Sequence, residues 1–180
     1  EEQAWARQIL GNLGRHAYRR PLKDRDLEQL MGFYHQGASK GDFEQGIQSA
    51  LRFVLASPEF LFRPETPEPD PKYPGAQRID GYSKASRLSF FLWNSIPDNE
   101  LLTLAEKGQL TVPATLDKQV KRMLADPKSD ALVSNFTGQW LGVRSLKTME
   151  PVVNLFPDYD DNLRAAYQKE IEMFFASVVQ

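Results

Sequence analysis

The sequence predicts an all-α protein, an irregular orthogonal bundle of about eight helices in two sub-bundles joined by a Pro-rich linker. Apolar residues recur three and four positions apart along most of the chain, which is the spacing of amphipathic helices. Proline, glycine and capping aspartates repeatedly punctuate these patterns. Extended candidates are confined to the short segments 60–62 and 78–80.

Composition places the chain among ordinary globular proteins. Of 180 residues, 41% are hydrophobic and 26% are charged, which suffices for a core and excludes a wholly disordered chain. The formal net charge of −2 argues against a dedicated nucleic-acid binder. With no cysteine, these residues hold no disulfide, thiolate nucleophile or covalently attached haem. No apolar run approaches the roughly 20 residues of a transmembrane helix.

Residues 1–63 predict a unit of three helices. In the first, Trp5, Ile9, Leu13 and Ala17 share a face. Asp24 is expected to cap the second helix and Asp42 the third, which should stop at Ser57-Pro58. A basic run lies at the end of the first helix and just after it: Arg15, Arg19, Arg20, Lys23 and Arg25. We expect it to be a solvated face, and binding to an anionic partner is the alternative.

Residues 64–79 predict the linker. Proline at such density opposes helix and favours an extended strap. A ligand for a proline-recognising domain is the alternative. The prolines are Pro64, Pro67, Pro69, Pro71 and Pro74.

Residues 80–180 predict a second helical unit. Asp98 and Asp126 should cap two of its helices, and Asp158 or Asp160 the last. Leu132, Phe136 and Trp140 share the face of another helix. Because the sequence begins and ends inside helical patterns, we expect the unit to continue beyond residue 180 in a longer protein.

Catalytic chemistry is not indicated by any motif. His16 and His35 fit no zinc or di-iron spacing, although either could be a lone metal or haem ligand. The aspartates 158, 160 and 161 could be imagined to bind calcium, but they lack the EF-hand spacing. Nucleophile elbows and phosphate-binding loops are absent from the sequence.

Three side chains are binding candidates: Arg87, Trp140 and Glu170. Arg87 lies on a helix with few other polar groups, so its guanidinium must be paired or reach solvent. We predict an ion pair between Arg87 and Glu170; a substrate carboxylate held by Arg87 is the alternative. Trp140, like Trp93, suits a core anchor better than a binding platform.

Two sets of segments resemble known families. Ala17-Tyr18-Arg19-Arg20-Pro21-Leu22 and the segment 56–63, Ala-Ser-Pro-Glu-Phe-Leu-Phe-Arg, resemble one small domain of unknown function. The segments 87–93, 96–98, 122–127, 135–141 and 156–158 resemble a second. Together they are similar to the tandem domains of large planctomycete-type proteins associated with cytochrome c.

The resemblance implies an exported, extracytoplasmic protein with a c-type cytochrome domain elsewhere in the chain. Haem c would belong to that other segment, and no cofactor is expected in these residues. Other domains of the same chain, including the cytochrome domain, are the expected partners. The resemblance implies no catalytic residue.

Three functions remain open. The first is a helical accessory or scaffold part without a self-contained active site. The second is part of an oxidoreductase or hydrolase whose site other domains complete. The third is a polysaccharide- or peptide-binding module that uses Trp93, Trp140 and Phe60.

Overall fold

A computed structural model shows an all-α helical protein, as the periodicity predicts. It describes residues 1–63, 65, 67–70, 72–152 and 154–179, without the side chain of Glu68. The α-helices are α1 (Glu2–Ala17), α2 (Asp24–Ala38), α3 (Phe43–Ala56), α4 (Pro58–Leu61), α5 (Gly81–Trp93), α6 (Asn99–Glu106), α7 (Pro113–Leu124), α8 (Asp130–Leu132), α9 (Gly138–Trp140) and α10 (Asp161–Val179).

Short helical turns of other kinds join some of these helices. A π-helical turn at Val133–Thr137 connects α8 to α9 without a break. Tighter 3₁₀ turns lie at Gln109–Thr111, Pro127–Ser129 and Val143–Thr148.

The Pro-rich segment includes a small antiparallel ribbon. Strands β1 (Pro67–Pro69) and β2 (Gln77–Ile79) pair with Pro67 opposite Ile79. The expected extended conformation is thus found at these residues, while Pro64 and Pro71 lie outside the described ones.

Backbone contacts divide the chain into two compact units. Unit 1 comprises Glu1–Phe90 and Ile96–Leu116, and unit 2 comprises Phe91–Ser95 and Asp117–Gln180. The domain boundaries expected at residues 63 and 80 concern the organisation of the sequence and stay a prediction.

The main core of unit 1 lies among the first three helices. Its fully buried members come from all three, so each helix contributes one apolar stripe. They are Ala6, Leu10, Leu30, Ala50 and Val54.

The buried stripe of α1 differs from the predicted one. Trp5 is 60% exposed, whereas Ala6, Leu10 and Gly14 are buried. A Cβ at position 14 would lie 2.8 Å from Leu22 Cδ1, so glycine lets the Leu22 side chain pack directly against the backbone of α1. The buried stripe of α1 therefore runs one position later along the helix than the predicted one, a shift that periodicity alone does not distinguish.

The segment 60–62 is not extended, contrary to prediction. It largely belongs to α4, which begins with Pro58 at its first position and Ser57 as N-cap. Proline has the backbone angle of a first helical residue, so the predicted stop signal also starts a new turn.

Aspartate capping is mostly as predicted. Asp42, Asp98 and Asp126 accept backbone N–H groups at the starts of α3, α6 and the turn at Pro127–Ser129. Asp160 caps α10, with 2.7 Å from its Oδ1 to the nitrogen of Leu163. Asp24 is not the cap of α2, because Lys23 occupies that position.

Trp93 is a core anchor of unit 2, as predicted. It is 3% exposed, and its indole Nε1 donates to the carbonyl of Met123 at 2.9 Å. The cations of Arg122 and Lys128 lie 5.5 and 4.7 Å from the centre of its ring. Burial of the ring and its satisfied N–H fix the end of α5 against α7 within this unit.

Candidate functional site

Unit 1 contains a pocket of about 360 Å³, which we call the arginine pocket. The two segments of the first family resemblance meet there, since Tyr18, Arg19 and Arg20 face Glu59 and Arg63. The start of α5 closes the pocket. The charged lining residues are Arg19, Arg20, Arg63, Arg87, Glu59, Glu65 and Asp80.

Arg19 is the most buried of these charges. Only 5% of the residue is exposed, and its backbone has a φ of 57°, which is unusual for a residue other than glycine. Its Nη2 donates to the carbonyl oxygens of Glu59 and Phe62, both at 2.6 Å. The guanidinium therefore binds the carbonyl end of α4, where a positive charge is favoured.

Arg63 is the second cation of the pocket. Its guanidinium carbon lies 4.4 Å from the centre of the Phe90 ring, a cation–π arrangement. Burial lowers the pKa of Arg19, and the neighbouring charge of Arg63 lowers it further. Across the described residues, neither arginine forms an ion pair with a carboxylate.

Arg87 has a carboxylate partner in the same unit. Its Nη2 donates to Glu65 Oε2 at 2.6 Å, and its Nε donates to Glu65 Oε1. The hydrogen bonds from Arg87 lower the pKa of Glu65. Because the Arg87 side chain is 63% exposed, the prediction that its guanidinium is paired or reaches solvent is confirmed on both counts.

The sequence predicts Glu170 as the partner of Arg87, and the pair that the structure shows is Arg87–Glu65 instead. Glu65 lies in the Pro-rich segment, which has no helical register from which contacts could be inferred. Glu170 is exposed on α10, in unit 2.

Arg20 forms the other ion pair of the pocket wall. Its Nη1 lies 2.6 Å from Asp26 Oδ2, which also accepts the backbone N–H of Lys23 at 2.9 Å. Burial alone would raise the pKa of Asp26, but these hydrogen bonds outweigh it and leave the pKa below its ordinary value. The carboxylate thus ties the start of α2 to the turn before it.

The basic run of residues 15–25 is therefore more than a solvated face. Arg19 is buried and Arg20 is partly buried, because the chain turns sharply before Pro21 and directs both toward α4 or α2. The sequence shows two arginines, Arg19 and Arg20, directly before Pro21. It does not show their partners, because Arg19 binds backbone carbonyls some 40 residues away.

Unit 2 carries a group of aromatic rings, which we call the aromatic cluster: Phe91, Phe136, Trp140 and Phe175. The first three are exposed and Phe175 is half-buried. The centre of the Phe136 ring lies 5.9, 5.4 and 5.9 Å from those of Phe91, Trp140 and Phe175. Trp140 is 67% exposed, so the prediction that it is a core anchor is wrong. Phe91 is also exposed, although its spacing puts it on the apolar face of α5.

The π-helical turn explains the position of the cluster. An ordinary helix would keep Leu132, Phe136 and Trp140 on one inward face, as the sequence predicts. The wider turn at Val133–Thr137 rotates the residues after it, so that Thr137 and Gly138 are buried and Trp140 faces solvent. Such turns often occur at functional sites.

Neither histidine shows features of a metal ligand. Both ring nitrogens of His16 have partners, Asn12 O at 2.8 Å and Asn99 Oδ1 at 3.0 Å. His35 lies with its ring edge toward Tyr34. Within the described ranges, no three histidine or carboxylate side chains are placed to hold an ion together.

A helix that crosses a bilayer must be both long and predominantly apolar. Among the described residues, no helix is long and apolar enough to do so.

Two families match the chain one after the other. Residues 5–65 match the family described as PSD5, a protein of unknown function (DUF1595). Residues 79–180 match the family described as PSD4, a protein of unknown function (DUF1592). No curated protein and no solved structure matches the chain.

Proposed function

Since the chain belongs to the PSD4 family of proteins of unknown function, we propose that it is a helical accessory part of an exported, cytochrome-c-associated protein. In this proposal it docks onto another domain of the same protein and has no self-contained active site. The tandem of PSD5 and PSD4 matches supports the context, because the segments that carry it resemble planctomycete-type proteins of this kind.

The aromatic cluster is the observation that carries the docking role. Soluble proteins seldom leave several large aromatic rings together in solvent, and such patches usually mark interaction surfaces. Aromatic and methionine side chains are enriched in the centres of protein interfaces. On α10, Phe174 is 71% exposed, and Met173 is exposed beside it.

The proposed partner of this surface is the c-type cytochrome domain. Transient redox interfaces are small, often below about 1,200 Å², so a few exposed rings provide an adequate centre. Haem would be attached to the cytochrome domain, because covalent attachment needs cysteines and this sequence has none.

Binding to the co-expressed cytochrome domain tests the proposal. We expect the wild-type chain to retain that domain on an affinity column, and Trp140→Glu to lose it, because a charge in the aromatic cluster must be desolvated. Ala165→Glu is the matched control, because Ala165 is exposed on α10 and lies outside the cluster. An absorbance spectrum of the complete gene product should show the Soret band of haem. Retention of the domain by Trp140→Glu, or a gene product without haem, would contradict the proposal.

The arginine pocket favours a second candidate function. A cavity with several arginines and tyrosines could form part of an oxidoreductase or hydrolase site that other domains complete. The polysaccharide- or peptide-binding alternative is less well supported, because Trp93 is buried and Phe60 packs against the core of unit 1.

A further inference from the structure

We propose that the arginine pocket binds a small hydroxylated organic anion, with its carboxylate or phosphate group held between Arg19 and Arg63. This inference is independent of the docking role, which concerns unit 2. It depends on the uneven distribution of counter-charges among the four arginines of the pocket.

Two of the arginines are neutralised within the protein and two are not. Arg87 is paired with Glu65, and Arg20 with Asp26. Arg19 and Arg63 have no carboxylate partner among the residues that the structure describes. An incoming anion would therefore meet two cations whose charge is still available.

The environment of Arg19 compensates its charge only in part when no anion is bound. Buried charges are normally paired, because desolvation penalises an isolated ion. Arg19 is 5% exposed and has only backbone carbonyls as acceptors, while its charged neighbour Arg63 repels it. A carboxylate or phosphate bound beside both arginines would attract each of them and offset the repulsion between the two cations. The planar guanidinium group can donate to two oxygen atoms of such an anion.

The remaining polar groups of the pocket suit hydroxyls on the ligand. The phenols of Tyr18 and Tyr82 are protonated at neutral pH, and burial raises the pKa of both further. Tyr18 already forms a side-chain hydrogen bond with Ser57, so Tyr82 is the better placed donor for a ligand hydroxyl. Asp80 and Glu59 also line the pocket. Asp80 accepts the backbone N–H of Ser83 at 2.6 Å. These two carboxylates oppose an anion beside them but can accept hydrogen bonds from neutral hydroxyls.

The size of the pocket limits the ligand. About 360 Å³ lies near the lower end of the range for small-molecule sites, roughly 300–1,000 Å³. A single six-carbon unit is a suitable probe size. Three probes that differ at one carbon are glucose, glucuronate and glucose 6-phosphate, which carry a neutral, a carboxylate and a phosphate group.

Nuclear magnetic resonance of the chain with ¹⁵N-labelled arginine tests the assignment directly. We expect glucuronate or glucose 6-phosphate to shift the Nε–Hε signals of Arg19 and Arg63, and glucose to leave them unchanged. Whichever anion binds more tightly identifies the acidic group that the pocket prefers.

Arg63→Gln removes one cation from an exposed position, with little risk to the core. We expect it to weaken binding by about tenfold or more, the usual effect of losing a charged hydrogen bond. Arg7→Gln removes an exposed arginine elsewhere on unit 1 and should leave affinity unchanged. The proposal would be overturned by any of three results. Glucose could shift the signals as much as the anions do, neither anion could shift them at millimolar concentration, or Arg63→Gln could bind with unchanged affinity.

Discussion

Arg19 joins two distant parts of unit 1 through one side chain. Its three hydrogen bonds reach carbonyls at residues 59, 60 and 62, at and after the end of α4. The strained backbone at φ 57° is tolerated because these contacts hold the residue in place. A charge that satisfies several carbonyls is difficult to replace, since no other side chain has the same fork of donors.

Replacing Arg19 with methionine should destabilise unit 1 strongly. The substitution leaves three partly buried carbonyls without their donor, so we expect a loss of about 1.5–3 kcal/mol in the free energy of unfolding. Urea denaturation followed by circular dichroism measures this loss. Arg7→Met, at an exposed position, should change stability by less than about 0.5 kcal/mol. Similar stability of the two variants would show that Arg19 is not a structural link.

Asp26 should make stability depend on acid pH. Its pKa in the folded protein lies below the ordinary value of 3.8, so the unfolded chain takes up the proton first as pH falls. The contribution is complete above about pH 4–5 and is lost as pH falls through the folded pKa.

Asp26→Asn isolates this contribution. At pH 7 we expect the variant to unfold with a free energy about 1–2 kcal/mol below that of the wild type. Below pH 4 this difference should shrink, because Asp26 of the wild type becomes protonated. Unfolding measured at several pH values checks the sign. A difference that grows as the pH falls would contradict the assignment.

Helix ends are the best predicted elements, because each depends on one or two neighbouring residues. Asp42, Asp98 and Asp126 carry their capping chemistry in the local sequence. Helix faces are harder to predict, because they depend on the neighbouring helix. In α1 the small Gly14 faces inward against Leu22, a contact that the period of α1 does not contain.

The π-helical turn is the element that the sequence pattern does not reveal. It inserts an extra residue into the helical register, and this changes which side chains of residues 133–140 are buried. Local signals for it are weak, although Gly138 leaves room for Arg144, whose Nε would lie 3.3 Å from a Cβ at position 138. Ordinary helical spacing therefore places Phe136 and Trp140 of the aromatic cluster in the core, whereas both are exposed.

Thr137 tests the energetics of this turn. Its Oγ1 is buried and has no hydrogen-bond partner among the described residues, which is unfavourable for a hydroxyl. Thr137→Val keeps the shape and removes the hydroxyl, so we expect stabilisation by about 0.5–1 kcal/mol. Thr137→Ala should instead destabilise, because it leaves a cavity. Thermal unfolding compares the three proteins, and a marked loss in Thr137→Val would indicate that the hydroxyl has a partner.

At the scale of the molecule, the two units present different chemistry. Unit 1 has a compact apolar core and a charged pocket. Unit 2 exposes apolar side chains on α10 and also Met149, Val152, Leu155 and Phe156. The all-α class follows from periodicity that extends over most of the chain. The arginine pocket could not be predicted in the same way, because its members come from segments as distant as Tyr18 and Arg87, and their pairing is decided by tertiary contacts.

Hydrogen exchange tests the docking surface most directly. Amides of residues 133–140 and 161–179 should exchange more slowly in a protein that also carries the proposed cytochrome domain than in the 180-residue chain alone. Amides of α1 should exchange equally in both, which makes that helix an internal control. Equal exchange of residues 133–140 and 161–179 in the two proteins would contradict the claim that the aromatic cluster is covered by another domain.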